Sequence, residues 1–377
     1  MLTALLIVAV LALAYANGAN DNFKGVATLY GSSTLSYRSA LGLATGATLL
    51  GSAVSIWLAA ELARSFSGRG LVPPALTEAP AFLAAVAGAG AITVLLATRL
   101  ALPTSTTHAL TGALLGVAAA HHGNLAVGDT LWTGFLRPLL ISPVIAVLAA
   151  ALIYAALHRS RRLLRVEPDD CLCIGTPEPA PAPASINQGG ALAFRGASTT
   201  AIPRQVRVTI GKTDACATTT PEATIRLGAT RLLAIFHGLS GASVCFARAV
   251  NDTPKIATLW LAAAAAPSWA LVAVTAAIAA GGLFSARRVA ETMSRHITTL
   301  NPGQGATGNF VTAAIVLGAS RLGLPVSTTH VSCGAIIGIG TVSRRAQPSV
   351  ITQIVLAWVA TLPLGALLGA ALFTALR

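Results

Sequence analysis

Residues 102–118 read LPTSTTHALTGALLGVA, and residues 324–340 read LPVSTTHVSCGAIIGIG. Each stretch runs Leu-Pro, a variable residue, Ser-Thr-Thr-His, then a glycine-spaced apolar run. Upstream of the first, residues 17–30 read NGANDNFKGVATLY; upstream of the second, residues 246–260 read FARAVNDTPKIATLW. Asn20, Asp21 and Lys24 therefore match Asn251, Asp252 and Lys255. Two unrelated motifs recurring in the same order at similar separations identify two duplicated halves.

The setting of these motifs is a membrane. Of the 377 residues, 54% are apolar and only 10% charged, with a mean hydropathy of +0.73; a soluble domain carries about a quarter charged residues. The apolar content suffices for roughly ten spans of about 20 residues. A soluble enzyme, a disordered tail and a disulfide scaffold are excluded together. Lys and Arg number 25 against 12 Asp and Glu, a net charge of +13. The basic residues fall mostly between apolar runs and in one central segment, which the positive-inside rule explains without a nucleic-acid partner.

Apolar runs cover approximately 39–62, 80–100, 109–120, 132–157, 229–248, 256–283, 306–320, 331–342 and 349–376. Met1–Ala16 lacks a basic start and runs directly into the Asn-Asp motif, so it reads as the first half of a retained span and not as a signal peptide. The runs at 109–120 and 331–342 are too short to cross a ~30 Å core as helices. Each follows a proline and a hydroxyl cluster, the pattern of half-helices in re-entrant hairpins lining a polar cavity. Three segments follow: a first transmembrane repeat at 1–157, a linker at 158–228 and a second repeat at 229–377.

The linker carries RSRRLLRVEPDD and TPEPAPAPAS, a charged and then a Pro/Ala-rich stretch. Its many arginines place it in the cytoplasm, and its composition predicts a tether more than a folded module. Cysteines 171, 173, 216, 245 and 333 are odd in number and scattered. The C-x-C at Cys171 and Cys173 lacks a full set of metal ligands even with Cys216, so unpaired loop thiols are expected.

Duplicated halves with interrupted apolar segments are the pattern of secondary carriers, whose site lies near midplane where the repeats meet. Asp or Lys at a helix centre costs roughly 2.5–3.5 kcal/mol. Asp21, Lys24, Asp252 and Lys255 would together cost on the order of 10 kcal/mol unless they met one another, water or a ligand. Ion pairing one helical turn apart is the structural alternative; the doubling of the arrangement favours function. Ser105, Thr106, Thr107, Ser327, Thr328 and Thr329 stand where half-helices begin, and such starts attract anions through free N–H groups and the helix dipole. Simple capping is the alternative for these hydroxyls. His108 and His330 are candidates for anion contact, proton relay or bracing. His121, His122, His158, His237 and His296 read as peripheral. No G-x-S-x-G, H-E-x-x-H or P-loop pattern supports catalysis.

On the paired Asn-Asp and S-T-T-H motifs the chain resembles the inorganic phosphate transporter (PiT) family of secondary carriers, over most of its length outside the linker. The resemblance implies an all-α polytopic membrane protein with two inverted repeats, broken helices and re-entrant hairpins. It implies import of inorganic phosphate by cation symport through a cell (inner) membrane, with phosphate and lipid as partners and a homodimer as a candidate assembly. By motif, Asn20, Ser105, Thr106, Thr107, Asn251, Ser327, Thr328 and Thr329 would bind substrate; Lys24 and Lys255, beside the aspartates, are added to the substrate site on their charge and not by motif. Asp21 and Asp252 would handle the coupling ion, including sodium if sodium is used; no other cofactor is expected. A sulfate or related oxyanion permease, and an uncoupled anion channel, are the alternatives.

This sequence departs from the family at one place. The family usually reads N-D-V-A-N-A, whereas Lys24 and Lys255 stand where the second Asn would be, and in the second half A-R-A-V replaces the usual small-residue lead-in before Asn251, which puts Arg248 close to the site. The two ammonium groups would then supply the charge that bound sodium supplies elsewhere, which favours protons as the coupling ion.

Overall fold

The computed structural model of the chain describes residues 1–68, 72–122, 131–175, 207–214, 223–263, 269–296 and 300–377. Contacts divide it into two compact units, Met1–His158 with Phe236–Arg377, and Arg159–Ile235.

The larger unit is helical. Its helices in the first half are α1 (Leu2–Asp21), α2 (Ala27–Gly31), α3 (Tyr37–Leu58), α4 (Ala60–Ser65), α5 (Pro74–Thr77), α6 (Pro80–Arg99) and α7 (Thr106–His122). A π-helical turn, Trp132–Leu136, leads into α8 (Arg137–Leu163). The second half supplies α9 (Ala229–Leu261), α10 (Ala270–Ser285), α11 (Arg287–Glu291), α12 (Pro302–Arg321), α13 (Thr328–Val342) and α14 (Pro348–Leu376). Prolines at the first turn of α6, α12 and α14 begin helices where a missing N–H costs nothing. Asn301 and Gln304 close a reciprocal capping box on α12.

By length and composition α1, α6, Trp132–Leu163, α9 and α14 are candidate spans, and α10 joins α11 and the following π-helical turn to Arg295 through a 65° bend as a sixth. Over its apolar stretch Trp132–Leu163 is only 22% buried. Leu148 and Leu152 are among its exposed side chains, a surface suited to lipid and not to water. The apolar run at 256–283 is not one span: α9 carries its first residues to Leu261, and α10 begins at Ala270.

The predicted half-helices are present as α7 and α13, each paired with the helix before it. In the first pair α6 turns through 100–105 into α7; in the second α12 turns through 322–327 into α13. Both turns need one left-handed residue at the same place, Gly323 at φ +69° and Ala101 at φ +57°. Glycine takes that conformation without strain, whereas alanine pays about 1 kcal/mol. Helix α7 packs along α14 at backbone distance. A Cβ on Gly116 would lie 1.8 Å from the carbonyl oxygen of Ala366, so no larger residue fits.

The smaller unit contains an antiparallel sheet in the order β2-β1-β3, from β1 (Asp170–Gly175), β2 (Arg207–Lys212) and β3 (Ala223–Gly228). Cys171 pairs with Gly211 on one side and Gly228 on the other. Lys212 binds Glu167, and lies 3.0 Å from Asp169 Oδ1 and 3.4 Å from Asp170 Oδ1. The tether expected from composition thus gives way to folded structure, because β-branched and apolar residues in three short runs pair outside the Pro/Ala-rich stretch. Cys173 is disulfide-bonded, so the expectation of unpaired thiols fails there. Cys216, Arg195 and Arg204 lie outside the described residues.

Candidate functional site

The end of α1 and the middle of α9 bring the two aspartates together around one amide. Asn17, a helical turn before Asp21, points its Nδ2 at Asp21 Oδ2 (3.2 Å), Asp252 Oδ2 (3.1 Å) and Thr106 Oγ1 (3.0 Å). Two hydrogens thus serve three acceptors, one from each half's aspartate and one from the first hairpin. Thr106 in turn donates to Asp21 Oδ2 at 3.3 Å. Behind the amide, Arg248 Nη1 donates to Asn17 Oδ1 at 2.9 Å, and its Nη2 to Thr48 Oγ1 at 2.8 Å. Arg248 is fully buried.

The lysines make a crossed pair. Lys24 Nζ contacts Asp21 Oδ1, the Thr104 carbonyl oxygen at 2.8 Å, and Thr329 Oγ1 from the opposite hairpin. Lys255 Nζ contacts Asp252 Oδ1 at 3.6 Å, the Val326 carbonyl oxygen at 3.2 Å, and Thr107 Oγ1 of the first hairpin at 2.7 Å. Each threonine then donates to the carbonyl on the other tip: Thr329 to Thr104 at 2.6 Å, Thr107 to Val326 at 3.2 Å. Thr104 and Val326 occupy matching positions, one before each Ser-Thr-Thr-His. Every ammonium therefore has one carboxylate and one carbonyl from its own half and one hydroxyl from the other. A charged amine inside an apolar protein requires this degree of satisfaction.

Other predicted residues hold the tips. Asn20 Nδ2 donates to Thr98 Oγ1 (3.0 Å) and the Leu102 carbonyl (3.1 Å), while its Oδ1 accepts from the Thr104 N–H (3.1 Å). Asn251 Nδ2 donates to Asp252 Oδ1 (2.9 Å), the Val326 carbonyl (3.2 Å) and Thr328 Oγ1 (3.4 Å), and its Oδ1 accepts from Ser320 (3.2 Å). Ser105 and Ser327 cap their helices, accepting from the N–H groups of His108 (3.0 Å) and His330 (3.2 Å).

His108 and His330 meet edge to face, ring centroids 4.2 Å apart, and His330 lies 3.9 Å from the Trp358 ring. His108 Nδ1 reaches the Trp358 carbonyl at 3.3 Å, which ties both tips to α14. His237 is not peripheral: it is fully buried, with Nε2 2.9 Å from Thr28 Oγ1, and Asn309 donates to the same hydroxyl. His158 is exposed, as expected; the side chains of His122 and His296 lie outside the described residues.

Sequence reasoning passed over Asn17, Thr104 and the two tip carbonyls. Asn17 carried a signal, since four residues separate it from Asp21 on one helical face; carbonyls carry none. Counting Arg248 changes the charge balance. Asp21 and Asp252 face Lys24, Lys255 and Arg248, all buried, so with all five ionised the centre is positive by one charge and not neutral. Such a centre, hydroxyl-rich and entered by two helix starts, can hold a small oxyanion.

A sequence model described as the phosphate transporter family matches residues 17–369. A Pyrococcus horikoshii protein provisionally named a phosphate permease is 28% identical, over 97% of this chain and 95% of that one. A Mycobacterium bovis protein provisionally named a low-affinity inorganic phosphate transporter is 26% identical, over 97% of this chain and 76% of that one. Among solved structures, one titled the sodium-dependent phosphate transporter superposes with a TM-score of 0.72 at 20% identity, covering 100% of this chain and 98% of that one. At that identity the likeness speaks to the fold.

Proposed function

Because the chain belongs to the phosphate transporter family, a family of carriers and not of enzymes, we propose that it imports inorganic phosphate through the cell membrane by alternating access, coupled to protons and not to sodium. The observation that carries this reading is the crossed pair of ammonium groups. Each sits among a carboxylate, a carbonyl and a hydroxyl, the hard oxygen donors that an alkali cation would otherwise take. Lys24 and Lys255 act as tethered cations, so the charge that a co-transported ion would bring is already present.

Substrate would sit against Thr106, Thr107, Thr328 and Thr329, with Ser105 and Ser327 shaping the tips. Asp21 and Asp252 provide the acceptors for a protonated phosphate oxygen, which sulfate lacks near neutral pH. With a centre positive by one, a hydrogen phosphate dianion needs one accompanying proton for neutral transit, and dihydrogen phosphate none beyond its own. The His108–His330 pair serves as a brace, and any proton passes through the aspartates.

Uptake of labelled phosphate into proteoliposomes tests this. An inward proton gradient in choline medium should drive concentrative uptake. Loss of uptake when sodium is replaced by choline at fixed pH would contradict proton coupling, and flux that never exceeds equilibrium would indicate a channel.

A further inference from the structure

Beside the site lies a cavity of about 730 Å³ between α1, α6, α10 and α11. That is within the range of small-molecule pockets. Its wall includes Ala19 and Thr98, the neighbour of Asn20 in sequence and its partner by hydrogen bond. Its rim carries Arg99, Arg287, Arg288 and Glu291. Glu291 Oε1 pairs with Arg287 Nε at 3.2 Å, which leaves Arg99 and Arg288 as the uncompensated charges. Arg288 donates to the Arg99 carbonyl at 3.4 Å, which fixes α11 against the first hairpin tip.

At the second tip the charge is smaller. The start of α4 packs on the second tip, where a Cβ on Gly323 would lie 2.9 Å from Glu61 Cβ. Glu61 pairs with Arg64 at 2.6 Å. Arg321 matches Arg99, so the second tip keeps one net positive charge beside the Glu61–Arg64 pair, whereas Arg99, Arg287, Arg288 and Glu291 give the first tip two. A low-dielectric cleft lined by one sign of charge concentrates ions of the other sign.

We propose that this cavity is the vestibule through which a small oxyanion reaches the Asn20 end of the site, with Arg99 and Arg288 as its capture residues. For phosphate as the anion this rests on the transport reading above. The same positive rim would also suit the phosphodiester of an anionic lipid, and the experiment separates the two.

Ser285, hydrogen-bonded to Tyr15 at 2.6 Å, and the exposed Phe284 both line the cavity. Ser285→Cys, and Phe284→Cys should the first fail to fold, are introduced into the full chain in phosphatidylcholine vesicles. Their reaction with anionic and cationic methanethiosulfonates is compared after normalisation to a free thiol. The anionic reagent should react about tenfold faster, inorganic phosphate should slow it, and Arg99→Gln with Arg288→Gln should erase the preference. The same double variant should raise KM for phosphate about tenfold and flatten its dependence on ionic strength. Equal rates for the two reagents, or protection by phosphatidylglycerol in the vesicles but not by phosphate, would overturn the vestibule. Absence of phosphate uptake alongside a persistent, phosphate-sensitive anionic preference would overturn the transport reading while leaving the anion vestibule standing.

Discussion

Arg248 donates to Asn17 across 2.9 Å, and the two residues stand at matching positions, each four places ahead of an aspartate. Duplication would ordinarily put the same residue at both. Two arginines there would repel in a buried space, and two asparagines would leave no third cation. The asymmetric pair instead lets the guanidinium hold the amide so that its N–H groups bridge Asp21 and Asp252.

Arg248→Gln should therefore be the most damaging single change at the centre. Removing one member of a buried, hydrogen-bonded charge set costs about 3–5 kcal/mol. Thermal unfolding in detergent should shift strongly downward, and phosphate affinity should fall at least tenfold. Arg248→Lys should rescue little, because an ammonium cannot reach Asn17 and Thr48 at once as the fork does.

The lysines predict a change in ion requirement. Lys24→Asn with Lys255→Asn removes both tethered cations but keeps the carboxylate, carbonyl and hydroxyl donors around them. Phosphate affinity should fall sharply in choline and recover in part when sodium is added, as read by binding of labelled phosphate. A double variant with unaltered affinity in choline would show that the ammonium groups are structural only.

Threonines and serines in the same motif should separate by assay. Thr107→Val and Thr329→Val each sever a lysine contact and a cross-tip hydrogen bond, worth about 1 kcal/mol apiece, and should weaken phosphate binding by similar factors. Ser105→Ala and Ser327→Ala remove helix caps and should lower thermal stability by about 1 kcal/mol with a smaller effect on affinity. Parallel titration and melting of the four variants would reveal the split.

The tips predict a stabilising substitution. Ala101→Gly relieves a left-handed alanine and should raise stability by about 1 kcal/mol. Gly323→Ala should cost more than that, since it adds strain and a contact with Glu61 at 2.9 Å. Melting curves of the two variants should move in opposite directions.

The pH response of the sheet follows from its charges. The Glu167 N–H and then Lys212 hold the Asp170 carboxyl below its ordinary value of 3.8, and the carboxylates around Lys212 hold its amine above 10.5. A depressed carboxyl stabilises above its unfolded value and ceases to as pH falls through its folded one; a raised amine stabilises below its unfolded value and ceases to at higher pH. The protection factor of the Thr213 amide, bonded to the Asp169 carbonyl, should be flat between those limits and fall in strong acid.

The duplicated motifs made the paired hairpins readable in the sequence, because S-T-T-H before a short apolar run can begin only a short helix. They also disclosed which charges would meet. What they could not disclose was direction. Nothing in the order Asn-Asp-x-x-Lys tells that Lys24 reaches Thr329 while Lys255 reaches Thr107, since that crossing depends on how the halves pack. The motifs placed Asn20 and Asn251 at the site but not their hydrogen bonds to Thr98, Ser320 and the tip carbonyls, which depend on the packing of the hairpins. The central sheet was hidden by its Pro/Ala-rich neighbour, whose composition dominated the segment, and the Cys173 disulfide was hidden with it.

The most direct test of tethered cations is titration of the wild-type protein with inorganic phosphate in choline and in sodium medium at one pH. Equal affinity in the two media is the predicted result. Binding that appears only when sodium is present would contradict the account.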